Sequence, residues 1–379
     1  MNKYDRWTAK AIGLGVSALI AGIIALNILS PDRAFSEMEN RSLAQSPAFS
    51  WDDFVDKKFT DNFEKYIADQ FPLRDIWIGV KTDFALLIGQ NISNGVYLGK
   101  DGYLLQEFKH PSTKDLESKL AAINVFADNT PDVNKYFMLV PNAVQILKDK
   151  LPPYAPTDDQ SAYLNEVKSG LDKSITFVDV YDTLAEHQKE NIYYRTDHHW
   201  TTLGAFYGYQ ALGKAMGLNV RDQNDYRIEK VTDNFLGSLY SKSGFKHLGP
   251  DSIELYHPKL PETYNVKYFD TEEETDSLYV LNDLNKKDKY TVFFNGNQSL
   301  IKISTSTNNG KKLLVIKDSY ANSLLPFLTS DYNEIYVVDL RYYSDDLSQL
   351  IKDNNIKDAL FLYNVNTFAE DQGLRQLGR

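Results

Sequence analysis

Residues 311–340 read KKLLVIKDSYANSLLPFLTSDYNEIYVVDL. Leu313–Lys317 is a short apolar run, residues 321–328 are apolar at helical spacing, and Glu334–Val338 is again β-rich, so the stretch predicts strand, helix, strand. The alternation continues downstream with a helix over residues 345–353 and a strand over residues 359–363. It is already present upstream as a strand over residues 135–140, a helix over residues 159–171, a strand over residues 175–180 and a helix over residues 201–216. Such alternation predicts an α/β domain with a mostly parallel sheet wrapped by helices on both faces. Residues 251–290, with the run TEEETD at 271–276, break the pattern and predict an insertion with small β elements of its own.

Outward toward the N-terminus, residues 9–29 (AKAIGLGVSALIAGIIALNIL) carry one charge, Lys10. As a helix they extend about 31 Å, enough to cross the hydrocarbon core of a bilayer. Lys3, Arg6 and Lys10 precede the apolar core of the run, whereas Asp32 and Glu37 follow it. The positive-inside rule then gives a cytoplasmic tail at residues 1–8, a transmembrane anchor at 9–29 and an extracytoplasmic remainder. A cleaved signal peptide is the alternative; against it, the run exceeds the usual h-region, and NILSPDRAFS offers no clear small-residue cleavage site. Residues 30–93 predict a polar stalk followed by two helices, over residues 52–69 and 74–89, separated at Phe71-Pro72. A hairpin over residues 94–105, turning at Lys100-Asp101-Gly102, opens the main domain, which runs from 94 to 379.

Composition excludes several classes. A chain of 379 residues that is 42% apolar can bury a sizeable core. A net charge of −11 argues against nucleic acid as a partner, because such binders concentrate Lys and Arg. With no cysteine, disulfides, thiolate metal sites and cysteine nucleophiles are impossible. The 25 Tyr and 20 Phe fit either core packing or a cleft that faces polysaccharide.

Two clusters carry candidate chemistry. In Tyr194-Arg195-Thr196-Asp197-His198-His199-Trp200-Thr201, an extended backbone places Asp197 and His199 on one side and His198 on the other. A carboxylate beside a histidine fits a general base with its orienter. A metal site and a helix-capping turn are the alternatives, although three adjacent residues rarely converge on one ion. In Lys317-Asp318-Ser319-Tyr320, Ser319 follows a strand at the carboxyl edge of the sheet, where ligands bind in open α/β folds. It fits a nucleophile with oxyanion support from a helix terminus, or simply an N-cap. Together the clusters supply nucleophile, base and orienter.

Asp197-His198-His199-Trp200 and Asp318-Ser319-Tyr320 occur with three further motifs: Ser36-Glu37-Met38-Glu39-Asn40-Arg41, Phe71-Pro72-Leu73-Arg74-Asp75 and Asp339-Leu340-Arg341-Tyr342-Tyr343. In this order they resemble the bacterial DHHW-motif proteins, relatives of the alginate O-acetylation proteins with an SGNH-hydrolase-like domain. The resemblance implies a flavodoxin-like three-layer fold and a polysaccharide O-acetyltransferase, or an acetylesterase, working through an acetyl-serine in exopolysaccharide or cell-wall glycan modification. Ser319 is then the nucleophile, His199 the base and Asp197 the orienter, with no metal and no cofactor. The implied partners are a polysaccharide acceptor and a membrane-bound O-acyltransferase that supplies acetyl groups. A non-catalytic glycan-binding or scaffold component of the same machinery is the alternative. Lys317 stands where the family pattern has glycine. Arg341, Tyr342 and Tyr343 resemble cleft residues, or else form a surface ion pair and packed rings. Asn297 is an oxyanion-donor candidate or a β-turn residue.

Overall fold

The computed structural model describes residues 3–36, 38, 39 and 41–378; Met1 and Asn2 of the tail, Glu37 and Asn40 of the early motif, and Arg379 lie outside the described residues. Two compact units form, Met1–Gln90 with Gly244–Lys246, and Asn91–Ser243 with His247–Arg379.

The first unit begins with helix Lys3–Leu29, whose Lys10–Leu29 portion is long and apolar enough to cross a membrane and is nowhere buried. The helix expected over residues 52–69 is split into Trp51–Val55 and Lys58–Asp69, because Lys57 takes a left-handed conformation (φ 63°). Helix Arg74–Leu87 follows the Phe71-Pro72 break. The predicted stalk is tied down by charge. Arg41 grips Asp69 through two hydrogen bonds of 2.5 and 2.9 Å, Arg74 grips Glu39 at 2.9 and 3.1 Å, and the Ala44 N–H donates to Asp69 at 2.8 Å. The bonds from Arg41, helped by the Ala44 N–H, lower the Asp69 carboxyl to about 2 despite its burial. The two early motifs therefore meet as one polar lock.

The second unit is built on an eight-stranded sheet. Its strands are β1 (Asn134–Val140), β2 (Ile175–Val178), β3 (Tyr264–Tyr268), β4 (Glu273–Thr275), β5 (Leu300–Thr305), β6 (Lys312–Lys317), β7 (Glu334–Val338) and β8 (Asp358–Asn364), in the order β4-β3-β5-β7-β6-β8-β1-β2. The five strands from β7 to β2 are parallel, with Ile316 of β6 opposite Val338 of β7 and Phe361 of β8. The polar stretch expected as an insertion supplies β3 and β4. With β5 they extend the sheet antiparallel beyond β7. The rest of that stretch pairs elsewhere: Asp251–Pro258 forms a long hairpin with Tyr226–Phe235, which lies outside the sheet.

Helices cover both faces. Phe137 and Phe361 stack at 5.6 Å on one face, where Phe126 of helix Thr113–Asn129 meets Phe361 edge-on. Met138, the next residue along β1, points the other way, and Gly208 of helix Thr202–Met216 lies above it. Beyond their first residues the central strands are buried and mostly apolar on both sides, as a covered parallel sheet requires. The helix expected over residues 321–328 is instead a 3-10 turn, Ser319–Ser323, followed by a short helix, Leu325–Leu328. Pro326 causes the break, since it has no N–H to continue the upstream turn.

From β6 the chain moves to β7 on one side, then crosses to β8 on the other. The carboxyl end of β6 is therefore the point where the winding reverses, and a crevice for ligands forms at such points. Ser319 sits there.

Helix Thr202–Met216 starts tightly against the loop before it: a Cβ on Gly204 would strike the Ile192 carbonyl and lie 3.1 Å from the Trp200 Cβ. Helix propensity alone favours Gly204→Ala by about 1 kcal/mol, whereas overpacking costs about 1–3 kcal/mol. We expect net destabilisation, read as a lower urea midpoint in tryptophan fluorescence; an unchanged or higher midpoint would show that this approach is loose.

Candidate active site

The segment around Asp197 is a turn and not the extended strand expected from its sequence. A β-bridge between Tyr193 and Trp200 closes its base. Within it, Asp197 Oδ1 accepts the His199 backbone N–H at 2.9 Å, a local bond that a short Asp side chain forms readily. This turn, and not strand alternation, brings the two side chains together: His199 Nδ1 lies 2.5 Å from Asp197 Oδ1. His198 does not point away as expected. Its ring lies 3.8 Å from that of His199, and its Nδ1 lies 2.6 Å from Ser238 Oγ.

Across the crevice, Asp318 caps the 3-10 turn that Ser319 opens, and His199 Nε2 lies 2.7 Å from Ser319 Oγ. A carboxylate only accepts, so His199 donates its Nδ1–H to Asp197 and leaves Nε2 free to accept the Ser319 proton. Carboxylate, imidazole and hydroxyl are thus in line. Asp197 and His199 are buried, while Ser319 is partly open to solvent. The two turns are stapled together by Trp200 Nε1–H donating to the Tyr320 carbonyl at 3.0 Å and by the Tyr320 hydroxyl donating to the His198 carbonyl.

Burial disfavours the Asp197 carboxylate, but the facing His199 and His198 rings and the Ser238 N–H outweigh it and hold the group well below the ordinary range. The Ser238 bond, 2.7 Å to Oδ2, comes from the segment after the hairpin strand Tyr226–Phe235. Burial and the adjacent His199 push His198 down to about 3, so it is neutral at physiological pH. Burial raises Asp318 to about 6 against three N–H donors: Tyr320 N at 2.8 Å, Asn364 N at 2.8 Å and Asn364 Nδ2 at 2.6 Å.

Sequence reasoning missed Tyr290, whose ring lies on His199 at 3.7 Å with only 10° between the planes. Its hydroxyl donates toward the Ser319 carbonyl and Ser323 Oγ. Ser238, Gly237 and Asn364 were missed too. No spacing marks them, because each reaches the site from a segment distant in sequence.

Lys317 is fully buried. Its ammonium donates to Asn297 Oδ1 at 2.9 Å and lies 3.9 Å from Asp339, while burial lowers it to about 8. Asn297 follows a left-handed run at Phe294, Asn295 and Gly296, the turn that was its alternative reading. With Oδ1 held by Lys317, its amide nitrogen is left for other partners. Arg341 pairs with buried Asp339 at 2.5 and 2.8 Å and lies over the exposed Tyr342 ring, whereas Tyr343 is packed away. Neither Arg341 nor Tyr342 touches the Ser319 line.

Among the described residues, Asp197, His198 and His199 are close enough in principle to hold a metal ion. The atoms that would ligate it are engaged with one another and with Ser238, so an ion would have to displace the Asp197–His199 pair.

A family model for DHHW protein matches residues 88–338. The chain belongs to the DHHW family. Among solved structures it is similar to a DHHW family protein from Eubacterium siraeum, with 28% identity and a TM-score of 0.66, over 75% of this chain and 95% of that one. Bacillus cereus PatB1, solved with a sulfonyl adduct, is 23% identical with a TM-score of 0.64, over 75% and 98% of the two chains. The O-acetyltransferase domain of Pseudomonas putida AlgJ is 18% identical with a TM-score of 0.48, over 75% and 98%. No curated protein matches the chain.

In this DHHW protein a Cβ on Gly237 would collide with the Asp197 side chain. Gly237→Ala should displace the carboxylate and slow labelling of Ser319 by a sulfonyl fluoride about 10²-fold, since misplacement of about 1 Å costs that much. Intact-mass spectrometry reads the adduct, with Ser319→Ala as the unlabelled control; wild-type labelling rates in Gly237→Ala would remove Asp197 from the chemistry.

Proposed function

We propose that the chain is an extracytoplasmic O-acetyltransferase that moves acetyl groups onto a polysaccharide through an acetyl-Ser319 intermediate. The observation that carries this reading is the continuous line Asp197–His199–Ser319, with 2.5 and 2.7 Å contacts, at the reversal point of the sheet. Membership of the DHHW family supports it. We also read the second unit as an SGNH-hydrolase-like, flavodoxin-like domain with permuted chain order. Counted from β6, the parallel strands run second, first, third, fourth, fifth, with the last two supplied early in the chain as β1 and β2.

In the first half-reaction Ser319 Oγ attacks the acetyl carbonyl of a donor while His199 Nε2 takes the hydroxyl proton. Asp197 holds the imidazole tautomer and stabilises the imidazolium. The carbon–oxygen bond to the donor breaks, and the leaving group departs with that proton. In the second half-reaction a sugar hydroxyl attacks acetyl-Ser319, gives its proton to His199, and the proton returns to Ser319 Oγ. Water in place of the sugar yields free acetate, the esterase outcome. Asn297 Nδ2 and the Ser319 N–H are the proposed oxyanion donors, and Arg341 with Tyr342, which lie off the Ser319 line, are proposed to meet the acceptor sugar away from the reacting hydroxyl.

The apolar helix serves as an uncleaved anchor, with the second unit outside the cell and a membrane-bound O-acyltransferase as the acetyl supplier. Anchoring keeps the domain at the membrane face where such a supplier would deliver.

The full-length chain in detergent, given 4-nitrophenyl acetate and a panel of oligosaccharides, tests the reading by mass spectrometry of glycan and protein. Wild type should give acetylated glycan and an acetyl-serine peptide. Ser319→Ala should abolish both, and His199→Ala and Asp197→Asn should lower the rate about 10²–10⁴-fold. Glycan binding that survives Ser319→Ala, with no adduct or turnover in wild type, would replace the enzyme with a scaffold.

A further inference from the structure

The first unit carries an apolar face that its own fold leaves open. On helix Arg74–Leu87 the side chains of Ile76, Trp77, Val80, Phe84 and Leu87 share one side and extend about 16 Å along the axis. Each is more than half exposed. The other side of the helix is occupied. Thr82 is buried and donates to the Gly244 carbonyl at 3.1 Å, and Gly79 lies against the Lys246 side chain, whose ammonium donates to the Asp75 carbonyl. A water-soluble helix turns its apolar stripe inward and its charges outward. This one leaves its apolar stripe outward.

A second apolar cluster lies in the same unit. Phe49 meets Trp51 and Phe59 edge-on, each at 5.2 Å, and Phe59 stacks on Phe63 at 5.8 Å. Phe49, Trp51, Phe54 and Phe63 are all exposed.

The position of these helices relative to the apolar N-terminal helix decides what covers them. Asn27, in the last turn of Lys3–Leu29, donates to the Gln70 carbonyl at 3.1 Å. The Tyr66 hydroxyl donates to Asp32 at 3.1 Å, and Arg33 pairs with Asp75 at 3.0 Å. The turn at residues 66–75, from which Lys58–Asp69 and Arg74–Leu87 both run, is thus pinned to the end of the span. That is the level at which a transmembrane helix leaves the hydrocarbon, where Trp, Tyr and Phe of amphipathic helices reside. Over residues 51–87 eight acidic residues stand against five basic ones, so no excess of positive charge selects anionic lipid.

We propose that Trp51–Val55, Lys58–Asp69 and Arg74–Leu87 form an interfacial platform on the outer leaflet, with the Ile76–Leu87 stripe and the Phe49–Phe63 cluster sunk into the boundary between headgroups and acyl chains. Attachment then has two parts, a span and a surface raft, and it works by apolar burial whatever the headgroup. The inference rests on the anchor reading.

The natural absence of cysteine allows single cysteines to be placed at will. Ile20→Cys in the span, Val80→Cys and Phe84→Cys on the stripe, and Lys65→Cys on a polar side are spin-labelled in the full chain and reconstituted in phosphatidylcholine vesicles. Power saturation compares access by oxygen, which partitions into lipid, with access by a water-soluble nickel chelate. Labels at Val80 and Phe84 should favour oxygen several-fold over the label at Lys65, as the label at Ile20 does. Replacing a third of the lipid with phosphatidylglycerol should leave the ratios unchanged. Nickel access at Val80 and Phe84 equal to that at Lys65, with Ile20 still favouring oxygen, overturns the platform and leaves the anchor standing. Labels there shielded from both reagents would mean that a second copy of the chain covers the face, which also overturns it. Nickel access at Ile20 would overturn the anchor and the platform together.

Discussion

Two buried carboxylates set the terms for everything around Ser319. Asp197 and Asp318 are at most 3% exposed, and a charge so far from water is tolerated only when donors surround it. Each obtains its donors from a different part of the chain. Asp197 draws on His199 within its own turn and on Ser238 beyond the hairpin strand Tyr226–Phe235, whereas Asp318 draws on Tyr320 and on Asn364 at the end of β8. Satisfying the two charges therefore fixes two pairs of segments, and the bonds from Trp200 to the Tyr320 carbonyl and from Tyr320 to the His198 carbonyl join the pairs. The 2.7 Å approach of His199 to Ser319 accompanies that arrangement. Losing one donor leaves a buried charge uncompensated, so the same bonds that orient the imidazole also hold the edge of the sheet together.

Local chemistry made much of this legible in the sequence. Apolar runs at β6, β7 and β8 and the spacing of helix Thr202–Met216 announce themselves because both faces of a parallel sheet must be covered, and the strand bounds come within about two residues of their expected positions. What failed, failed for identifiable reasons. Pro326 shortened a helix that its apolar neighbours suggested. Lys57 split another by adopting a conformation that nothing in its side chain advertises. The antiparallel strands β3 and β4 lie at one end of the sheet, carry polar residues, and so lack the apolar signal of central strands. At the site, Asp197 and His199 were paired correctly by proximity in sequence, but through a turn and not a strand. Tyr290 could not be paired with His199 at all, since stacking across some ninety residues leaves no local trace.

The early motifs illustrate a different kind of legibility. Ser36–Arg41 and Phe71–Asp75 are recognisable as patterns, yet their composition gives no reason for two such patterns so far apart in the chain. The structure supplies a reason: Glu39 with Arg74 and Arg41 with Asp69 form crossed ion pairs that join an irregular segment to two helices. Neither partner of a pair can be changed alone without leaving a half-buried charge behind.

The order in which the sheet is assembled has a consequence for the newly made chain. β1 and β2 emerge first, but the strand that joins them to the rest is β8, the last in sequence. Until it is delivered, β1 has a long apolar edge with no neighbour, and β6 lacks one of its two parallel partners. Their pairing spans more than two hundred residues, a loop whose closure is entropically costly and slow. The sheet can close only once nearly the whole chain is available, and that interval leaves an apolar strand edge exposed. Ser319 and His199 therefore cannot be locked into their mutual geometry early, since Asn364, which holds Asp318, arrives on that same final strand.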